Sequence, residues 1–370
     1  MTARAVRALS WAALVTLAAC SDAIIVPVET DAGMPIVDGA CRPGDAGTGV
    51  VGSCMPRRVP ARPICGPVDA GSADGGGDAT RWYALQTLTY VAASDQGYDL
   101  DGYCTEAMGP APCDPSTMRA HVVDGPEGID NAFSSVGMQL AIAYQTILGT
   151  DLQMASDGVL MSGVANPLIG VRDYDGRADD PSVYVTLALA VCGSTPGWMG
   201  ACDDPLRPTP DWARYDNVFY PDDTGFVGSL DMPRVTDDAA FVTRRALVIH
   251  LPDGASFRIV TGSGTYVDIG LVGGLMVATL ENADQIMRGV IIGRWRKSAI
   301  LDAARGFGLC PGELPYMFLD TALDGSLDIR DDDDVTGLTC NSVSAAVPFT
   351  ARQIVIGDLR TGPILTDPCP

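Results

Sequence analysis

The chain has 370 residues, with 24 basic and 46 acidic side chains, a formal charge of -22, 47% apolar residues and only 19% charged ones. That apolar content excludes a wholly disordered acidic tail, and the acidic excess excludes a nucleic-acid partner, whose phosphates would be repelled. The skew within the totals goes further: 41 of the 46 acids are Asp, Lys297 is the single lysine, and His121 and His250 are the only histidines, so His- or Lys-based chemistry has few places to sit.

Arg4 and Arg7 precede a mostly apolar stretch from Ala8 to Ala19. This is the charged-then-apolar order of a secretory signal and is too short to span a bilayer as a helix. It ends in Leu17-Ala18-Ala19-Cys20, which resembles the lipobox of bacterial lipoproteins. The resemblance implies a signal peptide over residues 1–19, cleavage before Cys20, and acylation of Cys20, so that the membrane is reached through lipid. Ser21 at the following position, with Asp22 after it, implies the outer membrane, with the domain in the periplasm or on the cell surface. Several acyl chains anchor firmly where one alone holds weakly.

Residues 20–80 are rich in Gly, Pro, Ala and Asp, with Asp-Ala-Gly recurring at Asp31, Asp45 and Asp69. They read as a solvated spacer, with a disulfide-stapled β-rich domain over residues 81–370. Subtracting Cys20 from eleven cysteines leaves ten, an even number suited to an oxidising compartment. Short loops favour Cys104 with Cys113 and Cys192 with Cys202, and Cys310 with Cys340 is a plausible third pair. Cys41, Cys54 and Cys65 make three in the spacer, so full pairing requires at least one of them to bond to the domain. The free tether then reduces to about residues 21–40.

In the domain, β-branched and aromatic runs recur at 82–91, 158–164, 182–191, 246–251, 256–261, 265–271, 275–281 and 286–292. Their spacing predicts a mainly-β, antiparallel sandwich or jelly-roll-like body. Leu251-Pro252-Asp253-Gly254 reads as a hairpin turn. Ile129, Phe133, Val136, Leu140, Ala143 and Ile147 form the stripe of one substantial helix, started by Asp124 or Asp130 and ended by Gly149. A shorter second helix is predicted over 298–307.

Asp clusters are the one repeated chemical theme. The first is Asp95 to Asp101, the second Asp124-Gly-Pro-Glu-Gly-Ile-Asp130-Asn131, the third Asp173-Tyr-Asp175-Gly-Arg-Ala-Asp179-Asp180, and the last Asp324 to Asp334. Calcium takes six to eight oxygens, and alternating acids around a glycine bend supply them. The metal-ligand candidates are therefore Asp99, Asp101, Asp124, Asp130, Asn131, Asp173, Asp175 and Asp179, with calcium as the cofactor. In the tightest arrangement the Asp99/Asp101 loop meets the turn before the helix, so that Asp124, Asp130 and Asn131 complete one oxygen cage. Asp99-Leu-Asp101-Gly102 resembles a fragment of the calcium loops of EF-hand and thrombospondin-type repeats, with Gly97 where their first ligand stands. The four consecutive aspartates at 331–334 repel one another and read as solvated.

No GxSxG, HExxH or GxxxxGK motif occurs. His250 reads as a half-buried strand histidine sharing a face with Ala246 and Val248. The aromatic Cys192–Asp223 segment offers a route to a glycan or protein ligand. The Asp-Leu-Asp-Gly turn, the Asp-Gly-Pro-Glu-Gly-Ile-Asp-Asn segment and the Asp-Ala-Gly spacer together resemble uncharacterised Asp-rich lipoproteins of high-GC Gram-negative bacteria. The reading that follows is a non-catalytic, calcium-stabilised binding domain on an outer-membrane anchor. The competing reading is a lipid-anchored polysaccharide hydrolase using paired Asp carboxylates.

Overall fold

The computed structural model describes residues 41–42, 54–65, 80–107, 109–115, 120–149, 151–162, 166–192, 211–215, 235–252, 256–260, 266–281, 286–332, 337–360 and 367–369, all within one compact unit. The signal segment, Cys20, Cys202 and most of the aromatic Cys192–Asp223 segment lie outside them.

The strands are β1 (Cys41–Arg42), β2 (Ile64–Cys65), β3 (Arg81–Leu88), β4 (Asn166–Arg172), β5 (Asp180–Cys192), β6 (Asp211–Tyr215), β7 (Val235–Thr243), β8 (Ala246–His250), β9 (Ser256–Val260), β10 (Tyr266–Gly270), β11 (Val272–Glu281), β12 (Ile286–Arg296) and β13 (Ser342–Arg360). The helices are α1 (Phe133–Leu148), α2 (Leu152–Ser162), α3 (Lys297–Gly306) and α4 (Leu314–Asp324).

The body is mainly β, and its main sheet closes on itself. Strands run in the order β12-β11-β8-β7-β5-β4-β3-β13, every neighbour antiparallel, and β12 pairs with β13 from Ile286 opposite Arg352 to Arg296 opposite Ser342. The result is an eight-stranded barrel instead of the two facing sheets expected of a sandwich. β13 explains the difference: at 19 residues it is long enough to take β12 along its first half and β3 further along. Register shifts in β11, in β13 against β3 and in β5 against β7 supply the local bends that closure requires. β6 adds to the sheet, parallel to β13 and antiparallel to β5.

Alternation then sorts the side chains. Tyr83, Ile169, Val185, Val242, Leu247, Ile249, Met276, Ile291 and Val347 point inward and form one buried cluster. Eight strands leave an interior just wide enough for side chains to fill. Phe133, Val136 and Leu140 of α1, Leu152 and Leu160 of α2, Ile300 of α3, and Leu319 and Leu323 of α4 join the same core. A smaller outward-facing cluster comprises Phe241, Ala246, Val248 and Val277, with Val59, Tyr98 and Val290 packed on it.

Several local expectations change. Of the run 158–164, residues 158–162 form the end of α2, where Leu160 packs into the core, and are helix instead of strand. Leu251-Pro252 does not turn a hairpin, because β8 pairs with β7 and β11 while β9 pairs with β10 as a separate ribbon. α1 begins at Phe133 with no side-chain cap from an aspartate; the Ala132 N–H instead donates to Ser344 Oγ of β13 at 2.9 Å. Gly149 does end α1, at φ +68°, its N–H donating to the Gln145 carbonyl.

The cysteine pairing also differs from the short loops. Cys54 bonds to Cys104, Cys113 to Cys340 and Cys310 to Cys369, with Cα separations of 5.9, 5.2 and 5.3 Å. Cys104–Cys113 and Cys310–Cys340 are therefore not bonded pairs; Cys192–Cys202 lies outside the described residues. Folding brings Cys113 beside the approach to β13, where Asp114 and Thr339 bridge, and that juxtaposition overrides chain proximity. Cys41 stands opposite Cys65 across the β1–β2 pair. Through Cys54, residues 54–63 of the Gly/Pro-rich segment are held against the barrel.

Candidate metal centre

Three segments converge over the outward face of β13. The first is the loop from Ala93 to Thr105. Its Asp99 Oδ1 accepts the N–H groups of Asp101 (3.2 Å) and Gly102 (2.6 Å), the local turn that a short acid makes with its own backbone. Asp101 Oδ1 accepts Tyr103 N–H at 2.7 Å. Gly97 lies at φ +127°, and a Cβ there would come within 2.9 Å of Ala346 Cβ. The loop is pressed too closely onto β13 for a side chain at that position, so the ligand that a calcium loop would carry there has no room.

The second turn, Asp124 to Asn131, is sewn onto the first. Asp130 Oδ2 accepts Leu100 N–H at 2.6 Å, and Asp124 Oδ2 accepts Thr105 N–H at 2.5 Å. Asn131 Nδ2 donates to the carbonyls of Ala93 and Gln96, and its Oδ1 accepts Ala346 N–H. Asn131 thus braces the loop against the barrel. Arg294 of β12 supports the same loop by donating to the Leu100 carbonyl at 3.1 Å.

Together these contacts place one oxygen from each of Asp99, Asp101 and Asp130 within 4.8 Å of the others. Asp99 is 8% exposed and Asp130 2%. Asp99 Oδ2 is buried and accepts no hydrogen bond, although an unsatisfied buried carboxylate oxygen is costly. Asp124 lies beside Asp130, and two carboxyls so placed favour a shared proton or a cation.

A third segment contributes Asp328. Its Oδ1 accepts Ser344 N–H at 2.8 Å and its Oδ2 accepts the Ser344 hydroxyl. Sequence reasoning set this residue aside within the Asp324–Asp334 run. The available signal was its setting, Leu327-Asp328-Ile329, since apolar neighbours on both sides mark a carboxylate taken into the fold. The other described acids of the run make ion pairs: Asp324, with Asp320 before the run, holds Lys297 at 2.5 and 2.7 Å, Asp331 pairs with Arg296, and Asp332 with Arg330.

The electrostatics follow from this crowding. Burial, then the charges of Asp101, Asp124 and Asp328, hold the Asp130 carboxyl well above the usual carboxylate range. Burial raises Asp124 to about 6, against the hydrogen bonds it accepts. Burial, assisted by the Asp124 charge, raises Asp328 to about 7. Asp99 is raised too, by burial, with its two accepted N–H bonds and the Arg58 charge opposing. Such a group of acids holds either protons or a cation.

The donor set fits calcium. Oxygens bound to one calcium lie about 2.4 Å from it, so no two exceed about 4.8 Å, which the three aspartates satisfy. Asp99 would supply its unpartnered Oδ2, with Asp101 and Asp130 alongside and Asp124 adjacent.

Asp173, Asp175 and Asp179 do not join this group. They belong to the turn between β4 and β5, where Asp175 accepts Arg177 N–H at 2.7 Å, Asp179 accepts Arg244 N–H at 2.8 Å, and Asp173 pairs with Arg172. Their carboxylates are occupied by turn and ion-pair contacts. His250 is on the outward face with Ala246 and Val248, its Nδ1 3.1 Å from the buried Asp237 Oδ2. Comparison with family models, with curated proteins and with solved structures finds no match to this chain.

Proposed function

We propose that the chain is an exported lipoprotein, anchored at Cys20 in the outer membrane, whose barrel is a non-catalytic binding domain stabilised by calcium at Asp99, Asp101, Asp124 and Asp130. The observation that carries the calcium part is Asp99, whose Oδ2 is buried and unpartnered and whose carboxylate has an oxygen within 4.8 Å of those of Asp101 and Asp130. A cation supplies the missing partner and offsets the mutual repulsion. The anchor rests on the Leu17-Ala18-Ala19-Cys20 motif. Three disulfides suit the oxidising compartment that export reaches.

The hydrolase reading is weaker. Asp99 and Asp130 are buried, which leaves no open face across which a polysaccharide could meet both. A cavity of about 260 Å³ lies elsewhere, with Trp82 and Tyr174 among its lining residues and no acid. The calcium part is tested by thermal melting in calcium and in EGTA. Calcium raises the Tm of the native chain, and Asp99→Ala abolishes that gain. An equal Tm in both buffers rejects it. The anchor is tested by intact mass of the membrane-extracted protein, which begins at an acylated Cys20; an unmodified N-terminus rejects it.

A further inference from the structure

We infer that the cation and the Cys54–Cys104 disulfide form the two halves of one clasp, which fastens residues 54–63 as a strap across the barrel. This rests on the calcium reading above and adds what the site controls. The strap is secured on the carboxylate turns themselves. Asp99 N–H, on the residue whose carboxylate faces the cation, donates to the Arg57 carbonyl at 2.8 Å, and Arg58 bridges to Asp99. Arg57 N–H donates to the Glu127 carbonyl at 2.8 Å, the Arg57 Nε pairs with Glu127 Oε2 at 2.8 Å, and its Nη1 donates to the Asp95 carbonyl at 3.1 Å.

Glu127 lies midway between Asp124 and Asp130 and is held at φ +60°, a left-handed conformation that a non-glycine residue keeps only when its surroundings impose it. At Gly128, φ +64°, an added Cβ would come within 3.0 Å of Cys54 Sγ and 3.2 Å of Cys104 Sγ, so the disulfide lies directly against the same turn. Every one of these strap contacts therefore ends on a segment that carries or flanks a cage ligand. Farther along, Val59 packs on the outward apolar cluster, Arg62 lies 5.4 Å over the Phe241 ring and donates to the Ala239 carbonyl, and Pro63 is buried.

Asp99 and Asp101 meet Asp130 and its neighbour Asp124 across the two turns, so a cation bound between them draws the turns together. Docking of the strap and binding of the cation then favour each other, and linkage makes the effect reciprocal. The disulfide enters the same cycle because it joins the strap to the end of the loop that bears Asp99 and Asp101.

Hydrogen–deuterium exchange and calorimetric calcium titration on the mature, oxidised protein test this. Calcium is expected to slow exchange of the Asp99 and Arg57 amides at least tenfold. Cys54→Ser with Cys104→Ser is expected to weaken calcium binding at least tenfold. Arg57→Ala, which leaves every carboxylate and the disulfide in place, is expected to weaken it severalfold and covers the event that the double variant misfolds. Calcium that binds while exchange in 55–63 stays unchanged and Arg57→Ala binds like the native chain overturns the clasp and leaves the site standing. Absence of calcium binding to the native protein at millimolar concentration overturns the calcium reading, and the clasp with it.

Discussion

Replacing Asp130 by Asn separates the two roles of a buried carboxyl. At the 4.8 Å upper limit of their separation and an effective dielectric of about 20, a pair of ionised carboxylates repels by about 3.5 kcal/mol. Burial and the neighbouring Asp101, Asp124 and Asp328 favour the protonated form of Asp130 when no cation is bound. Asn keeps an oxygen for the Leu100 N–H and resembles that protonated form, so in EGTA Asp130→Asn should change stability by no more than about 1 kcal/mol. With calcium the outcome differs, because a charged ligand is gone. A 100-fold loss of affinity corresponds to about 2.7 kcal/mol. Native protein in calcium at about 1,000 times its Kd gains about 4.1 kcal/mol, while the variant, now at about ten times its Kd, keeps about 1.4. At about 1.5 °C per kcal/mol for a folded body of this size, the calcium-induced rise in Tm falls from roughly 6 °C to roughly 2 °C. Differential scanning calorimetry in matched EGTA and calcium buffers measures both quantities. A variant that keeps the full calcium gain, or that melts far below the native protein in EGTA, refutes the assignment.

Two further outcomes follow from the same structure. Asp124 is raised to about 6 and Asp328 to about 7, so between about pH 4 and pH 7 the folded state holds protons that the unfolded state has released. Stability in EGTA should therefore fall as pH rises through that window, and the calcium increment should be larger at pH 7.5 than at pH 5; Tm values at both pH values with and without calcium check this. Cys113 and Cys340 are buried and close a loop with a sequence separation of 227, so Cys113→Ser with Cys340→Ser should cost about 5 kcal/mol on the chain-entropy model, read from urea unfolding.

Local features were legible in the residues, and closures were not. Alternation marked β3, β5 and β8 to β12, and a 3.6-residue stripe marked α1, because each pattern sits within one element. β13 escaped because small residues, Ser342, Ser344, Ala345 and Ala346, run through its first half, and because Pro348 interrupts a run that otherwise reads as strand. β7 escaped because Asp237 and Asp238 break its apolar series. Whether strands form two sheets or one barrel depends on which pair last, and alternation is the same in both cases. The site shows the same division. Asp99, Asp101, Asp124 and Asp130 were visible as acids around glycine bends, while Asp328 arrives from some 200 residues along the chain through its bond to Ser344. Turn chemistry explains Asp173, Asp175 and Asp179, which have the same composition and no shared destination.

β13 also sets a direction on assembly. It leaves the ribosome, and any export channel, after every other strand of the barrel, yet both β3 and β12 need it as a neighbour. Until Ser342 and the residues after it arrive, β3 and β12 present long unpaired edges, the kind that join other chains. Cys113 likewise waits for Cys340, and Cys310 for Cys369. The nascent chain is thus an open sheet whose final strand and two staples come together late, and a product cut short before β13 would emerge as a sticky ribbon with two free sides.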